Sequence, residues 1–202
     1  MGKRAFVRCG TLAAIVVAAT AWLLQPEKKE GLAVPDRVCG GIFSGERVAP
    51  LFSGAEGEIK SELFRDFPGN PKRSLAPVCE VYTDHLTVGF RVDHPGYPDS
   101  RREVQEDHKY VAELGSAYGA YDKTGGAISL DIPCPSRDEP KATLALNVGA
   151  SVVRGNVKGS LPKLEDLTGY AARTLAQKVY KCKGAEELPK GPVRITRGEG
   201  GR

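Results

Sequence analysis

Alternation of apolar and polar positions is the plainest signal along this chain. Leu86, Val88, Phe90 and Val92 alternate with Thr87, Gly89, Arg91 and Asp93, the pattern of a half-buried strand. Residues 78–83 read as its hairpin partner, turning at Asp84-His85. Ile128, Leu130 and Ile132 alternate with polar residues up to Pro133-Cys134-Pro135, and Ala142, Leu144, Leu146, Val148, Ala150 and Val152 form the longest alternating run. Two such hairpins predict a four-stranded, mainly antiparallel sheet.

Helical spacing flanks the strands. Ser100 and Glu103 make a capping box that opens a predicted helix over 101–118, with Val104, Val111 and Leu114 on one side. The strongest helix is the last, where Leu164, Leu167, Ala171, Leu175, Val179 and Cys182 recur at steps of three and four. Pro162 suits its first turn and Gly184 its stop. A short helix follows Ser44 through Val48 to Phe52. Residues 59–67 stay ambiguous, because Ile59, Leu63 and Phe67 fit a helix that lacks caps. The predicted order is α–β–β–α–β–β–α, an α+β class in which the long C-terminal helix covers the apolar face of the sheet.

The N-terminus is organised differently. Residues 11–24 (TLAAIVVAATAWLL) carry no charge, with Lys3, Arg4 and Arg8 before them and Glu27, Lys28, Lys29 and Glu30 after. A spanning helix needs about 20 apolar residues. Extending back to Ala5 reaches that length with Arg8 near the end, where its stem can snorkel. Ala19-Thr20-Ala21 offers a small-x-small cleavage match, but a cut there leaves an apolar core of about eight residues. We therefore expect an uncleaved signal-anchor, with secretion after cleavage as the alternative. The basic cluster places the N-terminus in the cytoplasm and the bulk outside. Cys9 precedes the apolar run, so it is not the acylated cysteine of a lipoprotein. The expected organisation is 1–10 cytoplasmic, 11–24 anchor core, 25–38 linker, 39–184 one extracytoplasmic domain and 185–202 a disordered, Gly- and Pro-punctuated tail.

Charge alters the picture only once it is partitioned. The whole chain is +4 with pI about 8.8. Residues 25–182 hold 21 Lys+Arg against 22 Asp+Glu, a net of −1. A nucleic-acid binder concentrates cations on its folded part, so no nucleic-acid partner is expected.

Four cysteines behind an export segment, Cys39, Cys79, Cys134 and Cys182, predict two disulfides. Of three connectivities, placement favours Cys39–Cys79, stapling the N-terminal layer, and Cys134–Cys182, clamping the last helix to the sheet. The second is expected to matter more. A four-thiolate zinc site needs closely spaced pairs, which this chain lacks. Cys39-Gly-Gly-Ile-Phe with the short helix after it, Cys79-Glu-Val, Ile132-Pro-Cys134-Pro and the closing helix ending at Cys182 together resemble the membrane-anchored, disulfide-containing ectodomains of actinobacterial type. That resemblance implies a location and a fold class, not an activity.

Candidate chemistry is sparse. Ser160-Leu-Pro-Lys163 and Lys123-Thr-Gly125 match short motifs of penicillin-binding proteins, but in the wrong order and on too small a domain. His85, His94 and His108 have no partners at metal-face spacing, so no metal, cofactor or catalytic residue is assigned. Lys123-Thr-Gly-Gly126 reads as a hairpin turn rather than a phosphate loop. Tyr82, Tyr97, Tyr118 and Tyr121 form a candidate binding surface on the second face of the sheet, tyrosine being favoured at recognition surfaces. The function expected is a membrane-tethered binding or sensor-like domain without enzymatic activity, its partner an envelope protein or cell-wall component. The alternatives are a small envelope hydrolase and a structural subunit of a membrane complex.

Overall fold

A computed structural model describes residues 31–65, 67–68, 78–93, 98–135, 140–152 and 160–201. The anchor expected at 11–24 lies outside the described residues. Among the described residues no helix is long and apolar enough to cross a membrane.

The class is α+β, with an antiparallel sheet, a C-terminal helix and two disulfides, but the main sheet has eight strands rather than four. A short antiparallel ribbon, β1 (Arg37–Val38) and β2 (Phe43–Ser44), leads into α1 (Gly45–Val48) and a 3-10 turn (Ala49–Phe52). Then come β3 (Lys60–Phe64), β4 (Val78–Tyr82), β5 (Leu86–Asp93), α2 (Arg101–Asp107), β6 (Tyr110–Leu114), β7 (Ala117–Asp122), β8 (Ala127–Pro133), β9 (Thr143–Val152), α3 (Leu161–Arg173) and β10 (Arg194–Arg197). The strands lie in the order β10-β6-β7-β8-β9-β5-β4-β3, every neighbour antiparallel. The four strands expected from alternation are β4, β5, β8 and β9, and both expected hairpins pair.

Five stretches depart from expectation. The helix predicted over 101–118 ends at Asp107, and its remainder is the β6–β7 hairpin. The capping box is present, with the Glu103 N–H donating to Ser100 Oγ at 3.2 Å and the Ser100 N–H to Glu103 Oε2 at 2.6 Å. The chain leaves the helix at His108, which is extended, and Gly115-Ser116 then makes the two-residue turn between β6 and β7, with Gly115 at φ 62, the sign a hairpin requires. Within residues 59–67, Lys60–Phe64 forms the edge strand β3, exposed at every position, so no strand alternation marks it, while Ile59 and Phe67 on either side of it are buried.

The last helix also ends earlier than expected. It continues from α3 as a π-helical segment, Thr174–Val179, and stops before Lys181, which is left-handed at φ 52. Gly184, at φ 84, instead precedes a separate 3-10 turn, Ala185–Glu187.

The stretch 185–202, expected to be disordered, carries β10 and buries Ala185, Leu188 and Val193. Arg173 holds it to α3 by donating to the Pro189 and Gly191 carbonyls at 2.8 and 2.7 Å. A Cβ at Gly169 would lie 2.5 Å from the Gly191 oxygen, so only glycine admits this approach. Residues 31–38 likewise belong to the folded unit rather than to a linker, since Ala33 bridges Glu58 and β1 pairs β2.

The core lies on one face of the sheet. Val88, Phe90, Leu130, Ile132, Leu146 and Val148 meet Leu164, Leu167, Ala171 and Leu175 of α3 and its continuation, all at 4% exposure or less. On the other face, Val104 of α2 and Val111 of β6 are buried apart from that cluster. The helix α2 thus caps one end of the second face, and among the described residues no other helix covers the rest of it.

Candidate functional site

Register assigns each tyrosine to a face. Tyr82 on β4 sits opposite Thr87 of β5, on the open face. Tyr118 lies four strands away on the same face, about 19 Å at normal strand spacing. Tyr121 points to the core face and packs beside Tyr110 at 6.1 Å, on the rim of a hollow of about 520 Å³ that His108 also lines. Tyr97 lies outside the described residues. The three described tyrosines therefore do not form one surface. Tyr118 is also occupied: its hydroxyl donates to the Asp99 carbonyl at 2.6 Å, and Arg101 stacks 5.4 Å above its ring while bonding Glu113 at 2.8 Å. It holds α2 down.

The middle of the open face is a shallow polar basin of about 290 Å³ lined by Arg91, Asp93, Ser129, Asp131, Ala145 and Asn147 among others. Arg91 pairs with Asp93 at 3.2 Å, and Asn147 donates to Ser129 at 2.8 Å. Asp131 sits directly across from Tyr118. Its half-buried carboxyl is pushed up to about 6, first by desolvation and then by the charge of Asp99. The folded protein thus keeps a proton that the unfolded chain, near 3.8, has already released. The raised value makes stability fall as pH rises between about 4 and 6, with the full penalty present above that window. Asp131→Asn is expected to stabilise the fold at pH 7 by about 1 kcal/mol after allowance for solvent screening. The gain should vanish below about pH 4, as read from urea midpoints at the two pH values; an equal gain at both would refute the assignment.

A second concavity lies at the far end of α3. The π-helical segment widens the last turns, with the Tyr180 N–H reaching the Leu175 carbonyl at 2.8 Å, and π-turns of this kind recur at functional sites. Lys181 then turns the chain back in a left-handed conformation that non-glycine residues adopt at a cost of about 1–3 kcal/mol. The Cys134–Cys182 disulfide fixes the turn to the end of β8. Gln177 bonds the Ala185 carbonyl at 2.8 Å, and Arg173 grips the 189–191 stretch, so both walls are braced. The result is a cleft of about 700 Å³. Its floor includes buried Thr174, Cys182, Ala185 and Leu188, and its rim carries exposed Lys178, Lys181, Lys183 and Lys190, with Glu186 the one acid. Arg173 stands at the wall, where burial first and the Arg47 guanidinium second work against its charge. Among the described residues, none of the four lysines has an ion pair.

The cleft was missed from sequence because its lysines were divided between a helix and a tail expected to be disordered. Lys178-x-x-Lys181-x-Lys183 was a visible cation run, but only the folded tail supplies its facing wall. The remaining motifs are separated: Lys163 donates to Ser53 rather than meeting Ser160, which precedes α3, and Lys123-Thr-Gly125 lies in the β7–β8 turn. His85 is exposed beside the β4–β5 turn, His108 follows α2, and His94 lies outside the described residues. No family model, no curated protein and no solved structure matches this chain.

Proposed function

We propose that the chain is a membrane-tethered, extracytoplasmic binding domain that recognises an anionic component of the cell envelope and carries out no catalysis. The supporting observation is the braced cleft at the end of α3, where four lysines without an ion pair among the described residues surround an apolar floor. Its sulfur is tied up in a disulfide, and its polar rim offers cations rather than a nucleophile beside a base. The tether rests on residues 11–24, and the location outside the membrane on the basic residues before them and on the two disulfides.

The expected result is that the purified full chain sediments with isolated envelope material. Lys181→Glu with Lys183→Glu should abolish sedimentation while the far-UV spectrum is kept. Equal sedimentation of the charge-reversed protein would sink the cleft as the binding site.

One observation favours a second reading, a small hydrolase: burial pushes the Asp131 carboxyl in the polar basin up to about 6, so that it exchanges its proton just below neutral pH, as acid–base catalysis requires. Release of soluble product from envelope material by the wild type, lost in Asp131→Asn, would establish that alternative over the first.

A further inference from the structure

The local excess of charge narrows the ligand class, on the premise that the cleft is the binding site proposed above. The folded unit, residues 31–202, is nearly neutral, with 24 Lys+Arg against 23 Asp+Glu. Five of those cations line one concavity: Arg173, Lys178, Lys181, Lys183 and Lys190, against Glu186 alone. Part of this has a plain structural purpose, since a helix C-terminus carries about half a unit of negative charge that nearby cations offset. Half a unit leaves most of a net +4 unanswered.

We infer that the cleft binds a soluble ligand bearing two or more linked phosphate groups. The identity of the cations separates phosphate from carboxylate. A guanidinium fork suits a planar carboxylate, but Arg173 is turned into the wall, where its Nη1 donates to both the Pro189 and the Gly191 carbonyl. What remains on the rim are ammonium groups, compact charges with rotatable donors that act on phosphate without demanding a plane. Four of them around one space match a polyvalent anion better than a single negative group. Shape separates a soluble ligand from a membrane. Lys178 leaves the π-helical wall while Lys183 and Lys190 come from the returning chain, so cations from two segments line one half-open cleft of about 700 Å³. A flat bilayer surface would meet only the rim.

The test uses the full chain in detergent, titrated calorimetrically with inorganic pyrophosphate at low ionic strength. Binding is expected, to weaken more than tenfold when Lys181 and Lys183 are both changed to Gln, and to weaken as salt is raised. Lys123→Gln, in the β7–β8 turn outside the cleft, should leave it unchanged. Two further probes separate the sources: polyglutamate, and phosphatidylcholine vesicles with and without phosphatidylglycerol. Absence of pyrophosphate binding, or equal loss in Lys123→Gln, overturns the inference. Cleft-dependent binding of polyglutamate without pyrophosphate also overturns it, yet leaves the broader proposal of an anion-binding domain standing. Binding to anionic vesicles alone overturns it in favour of a membrane-surface contact.

Discussion

Replacing Cys39 and Cys79 together by alanine is expected to lower the unfolding free energy by about 4–5 kcal/mol, more than the same change at Cys134 and Cys182. The chain-entropy contributions cannot separate the two bridges. Sequence separations of 40 and 48 give about 4 kcal/mol each, differing by roughly 0.2. Burial separates them. Cys39 and Cys79 are both wholly inside the core, so truncating them leaves unfilled volume as well as a freer unfolded chain. Cys134 is only partly buried and can relax against solvent. The sequence alone suggests the reverse order, because a clamp between helix and sheet looks more consequential than a local staple. Urea denaturation of both double variants under non-reducing conditions decides it. A larger loss for Cys134/Cys182 would mean that the clamp outweighs burial. Either loss is a large share of the 5–15 kcal/mol typical of a domain.

Legibility of the sheet follows from where each strand sits. In β5, β8 and β9 one face meets the core and the other the open side, so alternation survives in the sequence and both strand type and pairing could be read. In β6 that condition fails. Val111 is buried under α2 while its neighbour Ala112 is buried under the main core, so adjacent residues are both apolar and the period of two disappears. Its partner β7, Ala-Tyr-Gly-Ala-Tyr-Asp, is poor in β-branched residues. The informative signal was the Gly115-Ser116 turn, overridden by a sound capping box nearby. At β3 the opposite failure occurs, with no residue of the strand buried and hence no pattern to find.

The last stretch of chain shows a different limit. Its composition is that of a tail, and composition was a fair guide to weak intrinsic structure. Order comes instead from specific long-range contacts: Arg173 to two carbonyls, Gly169 against Gly191, the Val193 N–H to the Glu165 carbonyl at 3.0 Å, and β10 along β6. None of these has a local signature. The cleft depends on them, so the site could not be read before the fold was known, whereas the Cys134–Cys182 disulfide that braces it could.

Phe43→Ala is the second large effect, with an expected loss of about 4 kcal/mol. Phe43 stands on a strand of only two residues, whose short pairing with β1 offers little resistance to displacement. It is held by its ring, fully buried, 4.5 Å from Phe90 of β5, 6.2 Å from Phe67 and 6.0 Å from Tyr170 of α3. The side chain therefore joins the N-terminal layer to both the sheet and the covering helix. Truncation removes the apolar area and three aromatic contacts at once. Tyr170→Phe, by contrast, keeps the ring and removes only the bond from the Ser44 N–H to the Tyr170 hydroxyl at 2.9 Å, and it should cost about 1 kcal/mol. Because Cys39 remains bridged to Cys79, the layer in Phe43→Ala stays tethered, and the measured loss reports packing rather than detachment of the chain. Urea midpoints for the two variants give the comparison. If Tyr170→Phe costs as much as Phe43→Ala, the layer is held chiefly by its polar bond and the aromatic cluster is incidental to it.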